Sequence, residues 1–208
     1  MTDHGEISQQ MLGRLRSLSN RSMRRAGEAL ATLLGHPVRL EVSDIYSLAA
    51  GDLPDLAAEA GTEELAGLRF QITGETGGEM VLLFPRRTII RMLQSLLRRA
   101  ESEGPLSVEE QSAIQEVGNV LASSFLSELG DLLGRRLLHS PPEFHLADIP
   151  QLMQQAVERV KDQGSEVLVV QGLFEDPDQE ITGRFFVVPE MASLQAMIHE
   201  AGDGGSRP

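Results

Sequence analysis

Four polar residues at helical spacing form the pattern in the sequence that best suits chemistry: Ser112, Glu116, Asn119 and Ser123. Successive spacings of four, three and four residues place all four side chains on one face of a helix. A carboxylate can pair with a lysine of a partner molecule. A carboxamide both donates and accepts hydrogen bonds, so it can hold a water molecule in line with a phosphoryl group. Exposed Glu and Asn are also ordinary solvated residues on helices, so the surrounding sequence must decide between these readings.

Two long amphipathic helices are predicted, and the later one carries these four residues. Ser107 is a suitable N-cap with Glu110 as its capping-box partner, and the helix that follows is expected to end at Gly134. Its apolar stripe consists of Ile114, Val117, Leu121, Phe125, Leu129 and Leu132. A similar stripe from Leu12 to Leu33 predicts an earlier helix. Asn inside a helix costs several tenths of a kcal/mol relative to Ala, and both predicted helices carry one.

The sequence predicts an internal duplication. Segments 19–38 and 118–137 align with an offset of 119 − 20 = 99 residues, which pairs Asn20 with Asn119. Each helix is followed by an apolar strand and later by a predicted hairpin, at 67–84 and at 166–188. Each hairpin closes on a proline that precedes a predicted short helix. We therefore predict a mixed α+β domain over residues 1–201, in which repeats at about 7–100 and 106–201 share one sheet, and a disordered tail at 202–208.

Composition excludes several classes of function. The net charge of −13 argues against nucleic-acid binding, although two arginine clusters, at 14–25 and 86–99, can meet an acidic partner or be solvated helix faces. The absence of cysteine excludes disulfides and thiolate chemistry and favours the cytoplasm. No apolar run is long enough to span a membrane, and no signal peptide is recognisable. The histidines show no metal-ligand spacing, and Ser123 and Ser124 lack a His and an acid at a spacing typical of serine hydrolases.

Residues 112–137, SAIQEVGNVLASSFLSELGDLLGRRL, resemble the signature of the CheC, CheX and FliY family of response-regulator phosphatases. That signature runs Asp or Ser, three residues, Glu, two residues, Asn, about 22 residues and Pro. Here Ser112, Glu116, Asn119 and Pro142 occupy these positions, with 142 − 119 − 1 = 22 residues between the last two. The resemblance implies a pseudo-twofold α/β fold in which a continuous antiparallel sheet carries the two long helices on one side.

The resemblance also implies a phosphatase that acts on a phosphorylated CheY-type response regulator, in chemotaxis or related two-component signalling. Glu116 would anchor the regulator's lysine and Asn119 would orient the attacking water, while Ser112, Ser123 and Pro142 would contact the partner. The chain itself would need no metal or other cofactor, because Mg²⁺ is expected on the regulator. In the first repeat, Gly13, Ser17 and Asn20 occupy the matching positions, so Ser17 and Asn20 would form a degenerate second site that lacks the glutamate.

Other interpretations remain open. The same fold can act as a non-catalytic adaptor that binds a response regulator or a CheD-type deamidase. A flagellar-switch component of the FliY branch is expected to need a further C-terminal module, for which only the tail from about Gly202 remains. A dimeric CheX-like protein fits the unequal repeats less well. We therefore expect a CheC-like protein with one competent site.

Overall fold

The computed structural model describes residues 9–53, 55, 65–98, 104–146, 149–160, 166–176 and 181–190. The helices are α1 (Gln9–Leu34), α2 (Arg86–Leu97), α3 (Val108–Leu133) and α4 (Ile149–Val160). The strands are β1 (Arg39–Ala49), β2 (Leu65–Gly74), β3 (Gly78–Pro85), β4 (Leu137–His139), β5 (Glu143–Leu146), β6 (Glu166–Asp176) and β7 (Ile181–Pro189). A short 3₁₀ turn, Ala50–Asp52, follows β1.

Within the described residues the strands form one seven-stranded sheet in the order β1-β6-β7-β3-β2-β4, and β5 also pairs with β2. Every pairing is antiparallel. The β2–β3 and β6–β7 hairpins meet at the β3–β7 pair. The strand after each long helix pairs with the hairpin of the other half. Exchanging the two halves therefore gives the same strand order, read from the opposite edge of the sheet. The prediction of a mixed α+β fold with a continuous antiparallel sheet is confirmed.

Helices cover both faces of the sheet. Helices α1, α2 and α3 pack on one face, where alternate residues of β3, Met80, Leu82 and Phe84, are buried in the larger core. The intervening residues Val81 and Leu83 point to the other face and pack in a smaller core with α4. Burial on both faces explains the nearly continuous apolar sequence of β3. The two long helices lie on one side, as predicted.

Local sequence signals place the ends of α3. The Ser107 hydroxyl accepts a hydrogen bond from the Glu110 backbone N–H at 3.3 Å, and the Glu110 carboxylate accepts one from the Ser107 N–H at 2.7 Å. This reciprocal pair is the predicted capping box. The helix ends at Gly134, whose φ of 64° lies in the left-handed region. Both predicted hairpins and the helix after Pro85 are likewise confirmed.

Two predictions lie outside the described residues: the short helix after Pro189 and the tail at 202–208. The division into two repeats stays a prediction. One difference was not foreseen. The strand after α1 is continuous over 11 residues, whereas the strand after α3 is broken into β4 and β5. Pro141 and Pro142 lie in the break, and proline has no N–H to donate to a ladder.

Candidate active site

The predicted site residues of α3 lie on its outer face. Ser112, Glu116 and Ser123 are exposed, and Asn119 is half-buried. The opposite face of the helix is buried in the larger core through an apolar stripe that includes Ile114, Val117, Leu121 and Phe125. The spacing of the polar residues therefore produces the single accessible face that helical periodicity predicts.

Gly118 sets the depth at which the site sits on the sheet. A Cβ atom added at this position would lie 2.3 Å from Leu68 Cδ1 and 3.0 Å from Phe70 Cζ. Both side chains belong to β2 and are fully buried. Helix α3 thus approaches β2 more closely than a larger residue at 118 would allow. Asn119, the next residue, is therefore also held close to the sheet.

The connection between β4 and β5 runs beside this face of α3. Ser123 Oγ lies 2.8 Å from His139 Nε2, and Gln115 Nε2 donates to the Pro142 carbonyl at 3.4 Å. Because positions 115, 119 and 123 follow one another by single turns, Asn119 lies between these two contacts. The fold thereby brings Pro142, distant in sequence, beside the site.

His139 is a site neighbour that sequence reasoning missed. Its Nδ1 lies 2.8 Å from the Ser140 carbonyl, which assigns the ring proton to Nδ1 and leaves Nε2 to accept the Ser123 hydroxyl proton. The His139 and Phe70 rings pack edge to face, and their centroids are 5.3 Å apart. The backbone N–H groups around Ser123 are used in hydrogen bonds of the helix, so they cannot stabilise an oxyanion. The Ser123–His139 contact therefore orients the histidine ring and does not form the dyad of a hydrolase.

Glu116 and Asn119 are the two central side chains of this face. Within the described ranges, neither Glu116 nor Asn119 makes a hydrogen bond or ion pair with another side chain. An exposed carboxylate and a half-buried carboxamide, one turn apart on the outer face of α3, can both engage groups of another molecule.

The matching position in the first half is occupied differently. Asn20 is exposed on α1, but its Oδ1 accepts a hydrogen bond from the Val42 backbone N–H at 3.0 Å. One turn earlier on the helix, Arg16 lies 3.6 Å from Asp44. Ser17 is exposed and supplies no carboxylate. Asn20 therefore holds β1 against α1, a role that the alignment with Asn119 did not indicate.

Basic side chains line the groove between α1 and α3. Arg21, Arg24 and Arg25 of α1 face Ser123 and Ser124 of α3 across this groove. Acidic residues are also present, and Arg21 lies 3.4 Å from Glu128. The groove is thus of mixed charge, and the arginine cluster of α1 lies beside the site.

No metal centre or membrane span is found in the described part of the chain. There, no group of three or more His, Asp or Glu side chains is arranged to hold a metal ion. None of the described helices is long and apolar enough to cross a membrane.

The CheC-like family model matches residues 109–146, which contain α3, β4 and β5. A CheY-P phosphatase CheC of Bacillus subtilis is 24% identical over 201 residues, covering 94% of this chain and 96% of the relative. The resemblance to the CheC-like family is confirmed. A second CheC-like relative, CheC1 of Halobacterium salinarum, also described as a CheY-P phosphatase, is 25% identical over 175 residues, covering 83% of this chain and 86% of its own.

Solved structures share the CheC-like fold. FliY of Thermotoga maritima matches with a TM-score of 0.75 at 18% identity, covering 96% of this chain and 98% of its own. FliM from a FliM–SpeE complex of H. pylori matches with a TM-score of 0.66 at 12% identity, covering 95% of this chain and 97% of its own. At these identities the similarity concerns the fold alone.

Proposed function

We propose that this CheC-like chain is a phosphatase that accelerates the loss of the phosphoryl group from a CheY-type response regulator. The observation that carries the proposal is the pair of an exposed Glu116 and a half-buried Asn119, one turn apart and without side-chain partners among the described residues, inside the segment that matches the family model. The two relatives described as CheY-P phosphatases support the same activity.

In this proposal the chain contributes positioning. The oxygen of a water molecule attacks phosphorus as the bond to the regulator's aspartyl oxygen breaks, which yields inorganic phosphate and a free aspartate. The Asn119 carboxamide oxygen accepts a hydrogen bond from that water and holds it in line with the breaking bond. Glu116 pairs with a lysine of the regulator and fixes the two proteins in register. Such positioning is worth several kcal/mol without a covalent intermediate, as the water-orienting glutamine of GTPases illustrates.

The remaining site residues would support the contact. Ser112 and Ser123 extend the exposed face one turn beyond Glu116 and Asn119 at either end, and Pro142 borders it. Mg²⁺ bound by the regulator would supply charge neutralisation, and the chain would carry no cofactor of its own. Ser17 and Asn20 would remain a degenerate site, because Ser17 cannot anchor a lysine.

The test is a dephosphorylation assay with a phosphorylated CheY-type regulator of the same genome, at saturating concentration of this protein. Glu116→Ala and Asn119→Ala should each abolish the acceleration. The matched control is Glu158→Ala, which removes an exposed helical glutamate on α4, on the opposite face of the sheet. Full acceleration by either site variant would refute the proposal.

The adaptor hypothesis remains the second candidate. FliM proteins of similar fold have been solved in complexes with FliG and with SpeE, so this fold can serve as a binding module. A response regulator or a CheD-type deamidase would be the partner. Binding of the regulator without acceleration of its dephosphorylation would favour this second function over the first.

A further inference from the structure

Ser123 differs from other hydroxyl-bearing residues of the helices in the partner of its hydroxyl. Serine and threonine inside a helix commonly donate to the carbonyl four residues earlier. Three side chains of this chain do so, at 2.9–3.2 Å: Ser22, Thr32 and Ser95. Ser123 Oγ instead lies 2.8 Å from His139 Nε2, and no other hydrogen bond of Ser123 is found among the described residues. The hydroxyl is therefore oriented by a residue of β4, outside its own helix.

The His139 ring is held by two further contacts. Its Nδ1 lies 2.8 Å from the Ser140 carbonyl oxygen, which can only accept, so Nδ1 carries the ring proton. The ring also packs edge to face against Phe70, with centroids 5.3 Å apart. The neutral ring therefore offers Nε2 as an acceptor, and Ser123 must supply the proton of the bond between them.

This arrangement fixes what Ser123 can offer to another molecule. A hydroxyl group has one proton and two acceptor lone pairs. Because the proton is used in the bond to His139 Nε2, only acceptor capacity remains for a partner. Ser123 is exposed and lies one turn after Asn119 on the outer face of α3. At this position the face of the helix therefore accepts hydrogen bonds and does not donate them.

We propose that His139 is a positioning residue that makes Ser123 a hydrogen-bond acceptor for an N–H or O–H group of the response regulator. The identity of the partner rests on the proposed phosphatase function, whereas the polarity of the Ser123–His139 bond does not. A carboxylate or phosphoryl oxygen at this position would find no proton on Ser123 and would be left without a hydrogen bond, which is unfavourable. Ser123 thereby selects the group that faces it and helps to set the register in which Asn119 meets the phosphoryl group.

The first test needs no regulator. The nitrogen resonances of the His139 ring, assigned by their loss in His139→Gln, are recorded by NMR with the ring in its neutral form. We expect a protonated Nδ1 and a bare Nε2, and we expect the Nε2 resonance to shift in Ser123→Ala, which lacks the hydroxyl proton. A protonated Nε2 would overturn the proposal, because Ser123 would then accept in this bond and keep its own proton for a partner. An Nε2 resonance that is unchanged in Ser123→Ala would overturn it as well.

The second test measures KM and kcat for dephosphorylation of the CheY-type regulator. Ser123→Ala removes the acceptor and should raise KM about three- to tenfold while kcat changes less than about twofold. Ser123→Asp should keep KM within about twofold of the wild-type value, because a carboxylate accepts hydrogen bonds from several directions. A higher KM in Ser123→Asp than in Ser123→Ala would overturn the proposal, since it would indicate an acidic group opposite position 123.

Ser127→Asp is the matched control for the added charge. Ser127 is exposed one turn further along α3 and makes no hydrogen bond with the described residues. Its variant therefore measures the effect of a negative charge on this part of the helix without changing the group at position 123. The comparison of Ser123→Asp with Ser123→Ala is made after this effect has been taken into account.

The role of His139 is tested through Ser123. His139→Leu removes the acceptor of the hydroxyl proton and should raise KM, whereas His139→Gln, whose side-chain oxygen can accept the same proton, should keep KM near the wild-type value. In the Ser123→Ala background, His139→Leu should add no further change, because a positioning residue acts only through the side chain that it orients. An additive loss would overturn the proposal. If the wild-type protein binds the regulator without accelerating dephosphorylation, the proposed function fails, and Kd replaces KM in the same comparisons, so the two failures are distinguishable.

Discussion

Replacing Gly118 with alanine should destabilise the protein at the point where α3 approaches the sheet. The added Cβ would lie 2.3 Å from Leu68 Cδ1 and 3.0 Å from Phe70 Cζ. Because both neighbours are fully buried, they can move only by leaving their rotamers or by displacing α3. Extra methyl groups in packed cores cost about 1–3 kcal/mol, and contacts this short belong in the upper half of that range. Alanine gains about 1 kcal/mol over glycine inside a helix. The free energy of unfolding should therefore fall by about 1–2 kcal/mol.

Gly13→Ala provides the matched control. Gly13 is exposed within α1, and an added Cβ meets no atom within 4 Å. This variant should gain up to about 1 kcal/mol from helix propensity alone. Urea unfolding of both variants, with thermal midpoints expected to move about 2–4 °C per kcal/mol, measures the opposite signs. Equal stabilisation by both substitutions would refute the close approach of α3 to β2.

Three further predictions concern stability. Burial raises the pKa of Glu79 to about 7, although Arg69 at 3.2 Å opposes the shift. Above the ordinary pKa of 4.5 the unfolded chain releases the Glu79 proton, whereas the folded protein keeps it up to about pH 7. Glu79 should therefore lower the free energy of unfolding as pH rises from 4.5 to about 7. Urea unfolding across this pH range should show a smaller decrease in Glu79→Gln, and an unchanged pH profile would contradict the assignment. Ser107→Ala should cost about 1 kcal/mol in thermal unfolding through loss of the cap, and a negligible loss would show that the cap is not used. Asn20→Ala should speed hydrogen exchange at the Val42 amide, and unchanged protection would exclude the bond between them.

The sequence predicted the elements whose signals are local. The ends of α3 follow from Ser107, Glu110 and Gly134, which act within one helical turn of their own backbone. The hairpins follow from short turns between apolar runs. The outer face of α3 follows from periodicity alone, which is why Ser112, Glu116, Asn119 and Ser123 were placed together correctly.

Contacts that depend on strand pairing between the two halves could not be predicted from local sequence signals. The neighbour of β1 is β6, whose paired residues follow it by more than 100 positions, and nothing near β1 encodes that choice. The contact of His139 with Ser123 was missed for a related reason. It arises because β4 pairs with β2 beneath α3, and no spacing rule links these two residues.

The alignment of residues 19–38 with residues 118–137 makes the two long helices comparable, and the comparison limits what an aligned asparagine can mean. Asn20 and Asn119 occupy matching positions on helices that pack on the same face of one sheet. A backbone N–H of the adjacent strand binds the first carboxamide, whereas the second makes no hydrogen bond with another side chain in the described part of the chain. Since an asparagine whose oxygen is already bonded cannot also orient water through that oxygen, residue identity on the helix does not suffice to define a site. Whether the carboxamide is available depends on the strand that passes beside it.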